Sequence, residues 1–342
     1  MHFYGTRHHG CRADEYTWRG HRLIVLENEL LRVAVVASKG ADIVELRYKP
    51  RDLDVLWHAP QPLLPPGQEI PTVDRRQGHF LDYFPGGWQE VFPNAGPATV
   101  YRNAELGQHG EVALLPWDVR IVDDGASRIQ VEFGVETLRT PFRLTRAMTL
   151  ESGSAVLHFD ERVINLGEEE LSYSWGHHPA LGAPFLEPGC TLELPPCEVT
   201  QSAYAEGLKR RFAIGHPGTF PYLETLTGGL DRVDVVQAKE CRTEDVLLFT
   251  GFDKGWCAVR NPRQKLSVEM RWPQPVFPYV WSWQVYGGSW GYPYYGRLYT
   301  LAVEPFNCPI VPLAEAAEKK LVPALAAGAE VEAHLEFEIR AQ

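Results

Sequence analysis

The sequence predicts an all-β protein, a large antiparallel β-sandwich with one or two short helices, and three observations carry that prediction. Apolar residues recur with a period of two, turn-forming pairs separate the periodic runs, and helical patterning is thin. Many strands without alternating helices imply stacked antiparallel sheets, not a parallel sheet wrapped in helices.

Taken in order, the strand-like runs fall at 31–36, 42–48, 129–138, 142–150, 155–165, 246–250, 256–260, 265–271, 279–286 and 298–304. Lys39-Gly40, Asp124-Gly125, Ser152-Gly153, Leu166-Gly167 and Asn261-Pro262 punctuate them. The clearest alternation comes last. Val331, Ala333, Leu335, Phe337 and Ile339 interleave with Glu330, Glu332, His334, Glu336 and Glu338, one apolar face and one wet face. His334 therefore belongs to the wet face. Residues 312–320 predict a short helix, opened by Pro312, with Glu315 and Glu318 ahead of Lys319-Lys320 in the last turn. Two segments, 60–94 and 201–239, read as strand-poor and are broken by Pro and Gly; loops of that length in a regular β protein more often build a site than lie idle. Neither a repeat nor a linker divides the chain, so 1–342 reads as one domain.

Composition narrows the function. The 33 Lys+Arg against 44 Asp+Glu give a net charge of -11, which repels nucleic acid and anionic membrane surfaces. Six cysteines, at 11, 190, 197, 241, 257 and 308, form no CxxC pair and read as free thiols. The first twenty residues lack the apolar run of a signal peptide, and no stretch approaches the roughly 20 apolar residues of a membrane span, so a cytoplasmic protein is expected. Neither a Gly-rich phosphate loop nor a helical His-x-x-x-His pair is present, so neither metal nor cofactor is expected. The chain is rich in aromatics, with 10 Trp, 14 Tyr and 15 Phe.

Two titratable residues stand directly before proline. His178-Pro179 closes the run Tyr173-Ser174-Trp175-Gly176-His177-His178, and Glu304-Pro305 closes residues 298–304. The residue before Pro is pushed to extended backbone and Pro gives no N–H to a ladder, so each strand is expected to leave its sheet there and present a fixed side chain at the rim. His177 and His178 must face opposite sides of the strand; the pairing alone does not select one. His109-Gly110 forms a Gly-flanked turn. Trp281 and Trp283 share one strand face, as core or as ligand contact, and Tyr292–Tyr295, within the Gly- and aromatic-rich loop from Tyr286 to Gly296, reads as a pocket rim.

In several places, and in the right order, the sequence resembles the aldose 1-epimerase (galactose mutarotase-like) family. Residues 26–33, Gly40-Ala41-Asp42-Ile43 and Asp54-Val55-Leu56-Trp57 are similar to its opening strands. Phe92-Pro93-Asn94 and His109-Gly110 with Pro116-Trp117 resemble its asparagine segment and first histidine motif. Residues 173–181 resemble its second histidine motif, and Tyr299-Thr300-Leu301-Ala302-Val303-Glu304-Pro305 its glutamate motif. The resemblance implies a cofactor-free sugar mutarotase on a β-supersandwich, with Glu304 as base, His178 as an imidazolium acid, His109 as a second donor to the ring oxygen and Asn94 as a ligand of a sugar hydroxyl. Ala95 departs from it: the members closest to galactose enzymes carry Arg there, which places the substrate in question more than the reaction.

Ring opening and reclosure of an aldose removes the C1 hydroxyl proton while protonating the ring oxygen, and a carboxylate–imidazole pair can exchange those roles. A glycosidase or lyase on a similar sandwich is the competing enzyme; hydrolysis needs a second carboxylate, for which Asp82, Glu90 and Asp253 are the loop candidates. A non-catalytic sugar-binding protein would have lost the acid or the base, and both are present. A phosphosugar would call for a basic cluster such as Arg75-Arg76 or Lys209-Arg210-Arg211.

Overall fold

The computed structural model describes residues 7–65 and 80–341. Arg75-Arg76 lies outside the described residues. Two large sheets pack face to face, and every strand pairing within them is antiparallel, as the alternation requires. The twelve-stranded sheet runs in the order Arg12–Trp18, His21–Glu27, Leu31–Val36, Asp42–Tyr48, Trp88–Val91, Gly176–Leu181, Tyr299–Phe306, Tyr279–Tyr286, Thr243–Thr250, Glu198–Gln201 and Gly218–Thr219, with Leu53–Asp54 paired onto Asp42–Tyr48. The eight-stranded sheet runs Thr191–Glu193, Trp256–Asn261, Leu266–Arg271, Glu330–Ala341, Val156–Asn165, Phe142–Glu151, Arg128–Glu136 and Asp118–Asp124. The chain folds as a large antiparallel β-sandwich, as the sequence predicts.

The core lies between the sheets. Leu157, Phe159 and Val163 from one strand and Ala333, Leu335, Phe337 and Ile339 from its neighbour are buried, with Glu161 on the same inward face, while His158, Asp160, Arg162, His334, Glu336 and Glu338 lie on the outer face. A short helix, Leu313–Glu318, starts after Pro312 as expected. All six cysteines are free.

The strand-poor reading of 60–94 fails at Trp88–Val91, which is buried along its whole length and so shows no alternation. Likewise 201–239 holds the short strands Gly218–Thr219, Tyr222–Glu224 and Leu230–Arg232. The N-terminal strands Arg12–Trp18 and His21–Glu27 went unread: the first is a polar edge strand and the second is buried over most of its length.

The two prolines act differently from expectation. Neither ends its strand, since Pro179 pairs with Trp88 and Pro305 with Val280. Instead they open the ladder between the two strands they occupy. Gly176 pairs with Phe306 and Ala180 with Ala302, but no pairing joins 177–179 to 303–305. With an N–H missing from each side of that stretch, the sheet gapes locally, and the register places His178 opposite Glu304 in the gap.

Candidate functional site

Cross-strand register assembles the site. Gln89, His178, Glu304, Trp281 and Leu248 form a row across five strands of the larger sheet, on the face turned away from the second sheet. A cavity of about 340 Å³ opens over this row, walled by Phe80, Phe84, Trp281, Trp283, Tyr292 and Tyr294. His109, His178, Glu244 and Glu304 all line it.

His178 Nε2 lies 3.7 Å from Glu304 Oε1, and both side chains are almost fully buried. Strand alternation divides the two histidines as expected: His178 enters the cleft and His177 enters the core. Burial raises Glu304 well above the ordinary carboxyl value of 4.5. Burial, with His109 as a second contribution, pushes His178 down from 6.5 to about 3. Both shifts work against the expected arrangement of a carboxylate facing an imidazolium. Their common cause is that a low-dielectric site penalises the charged form of each group.

His109 sits beside them, its ring 5.6 Å from that of His178 and edge-on to Phe80 at 4.5 Å. Its backbone is left-handed at φ +57°, and the following Gly110, at φ +74°, is obligatory: a Cβ there would lie 2.2 Å from Phe92 O. The His109 Nδ1–H donates to Ala95 O, and burial pushes the ring down to about 4. Nε2 thus turns toward the cleft as an acceptor; the donor role the resemblance implied requires a further proton on this ring.

Asn94 does not line the cleft. Its Nδ2 donates to Pro97 O at 2.9 Å and Gly107 O at 2.7 Å, and its Oδ1 accepts from Leu313 N–H at 2.9 Å. Every polar atom of this fully buried amide is used by backbone, so the expectation of a sugar-hydroxyl ligand is corrected: Asn94 clips the His109 turn to the start of the short helix. Trp281 stacks on Phe306 with centroids 3.9 Å apart and also lines the cavity. Trp283 donates its Nε1–H to Glu244 Oε1 at 3.0 Å.

The sequence reading missed Glu244, whereas Tyr294 falls within the segment read as pocket rim. Burial raises Glu244 above the ordinary carboxyl value, and Tyr294 holds a buried hydroxyl without a partner in the cleft. The signal for Glu244 was available: it continues the alternation of Val246 and Leu248 one step upstream. Of the loop carboxylates proposed as a second catalytic group, Asp253 is an exposed loop residue, Asp82 accepts from the Tyr292 hydroxyl at the cleft mouth, and Glu90 lies on the core side of the sheet. Glu90 belongs to a fully buried cluster: Arg146 Nε bonds Glu161 Oε1 at 2.7 Å, Arg146 also pairs with Glu90, and His177 Nε2 lies 3.0 Å from Glu161 Oε2. Two carboxylates and an imidazole suit a metal by type, but the guanidinium already occupies the space between them.

No Lys or Arg lines the cleft among the described residues. Arg211, the core of the basic triplet, is held by Asp245 at 2.6 Å and Gln284 at 2.8 Å on the opposite side of the sheet.

Residues 18–339 match the family described as a domain of unknown function, DUF4432. No curated protein matches the sequence. Among solved structures, a Klebsiella pneumoniae protein provisionally named an aldose 1-epimerase superposes with a TM-score of 0.73 at 16% identity, over 95% of this chain and 81% of that one. A galactose mutarotase-like protein from Clostridium acetobutylicum gives 0.65 at 14% identity, over 97% and 99%. A galactose mutarotase related enzyme from Lactobacillus acidophilus gives 0.61 at 15%, over 96% and 97%. Likeness at these identities establishes the shared fold.

Proposed function

The chain belongs to the DUF4432 family, and from its cleft we propose that it is an aldose 1-epimerase acting on a free, unphosphorylated sugar. The observation that carries the proposal is the facing of Glu304 and His178 at 3.7 Å, in a cavity walled by aromatic rings and, among the described residues, lined by neither Lys nor Arg. The fold shared with galactose mutarotase-like proteins agrees with it.

In the proposed reaction the sugar sits with an apolar face on the tryptophans while its hydroxyls are read by Glu244, Tyr294 and His109. Glu304 and His178 between them hold one proton and two basic positions. One group takes the C1 hydroxyl proton as the other protonates the ring oxygen; the ring opens, C1–C2 rotates, and the same two groups reclose it from the other face. Each such group contributes about 10²–10⁴ in rate. Because the proton returns to the pair, the cycle balances without a cofactor.

The test is exchange spectroscopy between anomers over a panel of aldoses with their 6-phosphates alongside. Catalysed interconversion of a neutral aldose, and none of the phosphate, is expected. A hydrolytic reading rests on one observation, that Glu244 and Glu304 are two buried carboxyl groups in one cleft. Release of the leaving group from aryl glycosides would favour it; anomer exchange without such release favours the epimerase.

A further inference from the structure

The wet face of the smaller sheet carries two imidazoles that sequence separates by 176 positions and register brings together. His158 pairs with Glu336, and Asp160 with His334, on the adjacent strands Val156–Asn165 and Glu330–Ala341. The rings of His158 and His334 lie side by side at 5.8 Å and 28°. His158 Nδ1 is 3.5 Å from Glu336 Oε1, and His334 Nε2 is 3.7 Å from that same oxygen.

These spacings suit a metal. With bonds of about 2.0–2.2 Å to nitrogen and oxygen, tetrahedral ligand atoms stand about 3.3–3.6 Å apart; both distances to Glu336 Oε1 are close to that range, and all three ligand atoms lie within 4.8 Å of one another. A second, independent observation is the hydrogen bond behind His334, whose Nδ1–H donates to Asp160 Oδ1 at 2.8 Å. That bond fixes the tautomer whose Nε2 lone pair faces Glu336, the arrangement by which a carboxylate orients and sharpens a ligating histidine. Glu336 divides its oxygens: Oε2 faces Arg271 Nη1 at 3.4 Å, leaving Oε1 to the two rings.

We propose that His158, His334 and Glu336 form a surface site for a divalent cation of the zinc type, with Asp160 supporting His334 from behind. Two imidazoles and one carboxylate oxygen select zinc, nickel or copper over calcium and magnesium, which prefer sets made wholly of oxygen. Three protein ligands leave a fourth position for water. The ion would tie two central strands of the smaller sheet, on the side of the molecule away from the cleft.

The experiment titrates Zn²⁺ into the full-length chain, stripped with chelator, against a chromophoric zinc indicator, and repeats it with Co²⁺ for its visible tetrahedral absorption. One zinc per chain at micromolar concentration is expected. His158→Asn and His334→Asn should each weaken binding at least a hundredfold and remove the cobalt band, and Asp160→Asn should weaken it about 10–100-fold. These side chains face solvent, so the variants are expected to keep the wild-type circular dichroism. Unchanged affinity in the His158→Asn/His334→Asn double variant, absence of binding below millimolar zinc, or equal competition by Ca²⁺ would each overturn the proposal.

Discussion

His178 and His177 differ only in which side of one strand they face, and their environments part accordingly. Substituting His178→Asn is expected to lower the anomer exchange rate at least a hundredfold, since the ring is a proton-transfer group. His177→Asn should lower it far less, its cost falling on stability instead. Equal rate losses at unchanged stability would contradict the assignment. Burial also fixes a sign for pH. The unfolded chain protonates His178 near 6.5, whereas the folded chain resists until about 3, so this residue withdraws stability as pH falls below 6.5, about 1.4 kcal/mol per unit. Between pH 6.5 and 5 the wild type should therefore lose about 2 kcal/mol more than His178→Asn, read from urea midpoints. A parallel pH dependence would show that the ring is not buried in its neutral form. The activity profile should be a bell whose alkaline limb belongs to Glu304, raised by burial, and whose acid limb lies toward 3–4, where His178 and His109 take up protons. At this scale the His-Pro and Glu-Pro pairs were legible in the sequence because their chemistry is local. Asn94 and Glu244 were not, since what each side chain meets depends on residues far away in the chain.

Elements explain how the pair is presented. Neither proline ends its strand; both remove N–H groups where two strands would otherwise zip, and the resulting gap holds the carboxyl and the ring at a fixed spacing. The His109 turn relies on Gly110 in the same way. Gly110→Ala combines positive φ with a Cβ 2.2 Å from a carbonyl oxygen, and should cost roughly 2–3 kcal/mol of stability, with loss of activity out of proportion because His109 moves. A variant as stable and active as wild type would refute that role. The period-two runs located eleven strands, among them every described strand of eight residues or more. Trp88–Val91 escaped because a strand buried on both faces carries no alternation, and Arg12–Trp18 because an edge strand is largely polar.

Across the whole molecule, the two sheets are joined by apolar packing and by one buried ionic cluster. Arg146 and Glu161 belong to the smaller sheet, Glu90 and His177 to the larger, and each is wholly buried. Removing one partner leaves an uncompensated charge, so Arg146→Met should destabilise the protein by about 3–5 kcal/mol in urea unfolding, with anomer exchange falling only as far as the folded fraction does. A loss below about 1 kcal/mol would mean that the cluster does not hold the sheets together. Strand order and register were not legible in the sequence: a partner separated by more than a hundred residues leaves no local trace, and both the inter-sheet cluster and the facing of His178 and Glu304 depend on it. Chelation should leave anomer exchange intact, because neither proton-transfer group calls on a metal; loss restored by a divalent cation would contradict this.

The central claim is that the Glu304 carboxyl takes and returns the proton that opens the sugar ring. It is tested most directly by exchange spectroscopy between the anomers of an accepted aldose, comparing wild type with a Glu304→Gln variant shown to be folded by circular dichroism and urea midpoint. The amide keeps the shape but cannot exchange that proton, so anomer exchange should fall at least a hundredfold toward the uncatalysed rate. Exchange at the wild-type rate in the folded variant would contradict the account.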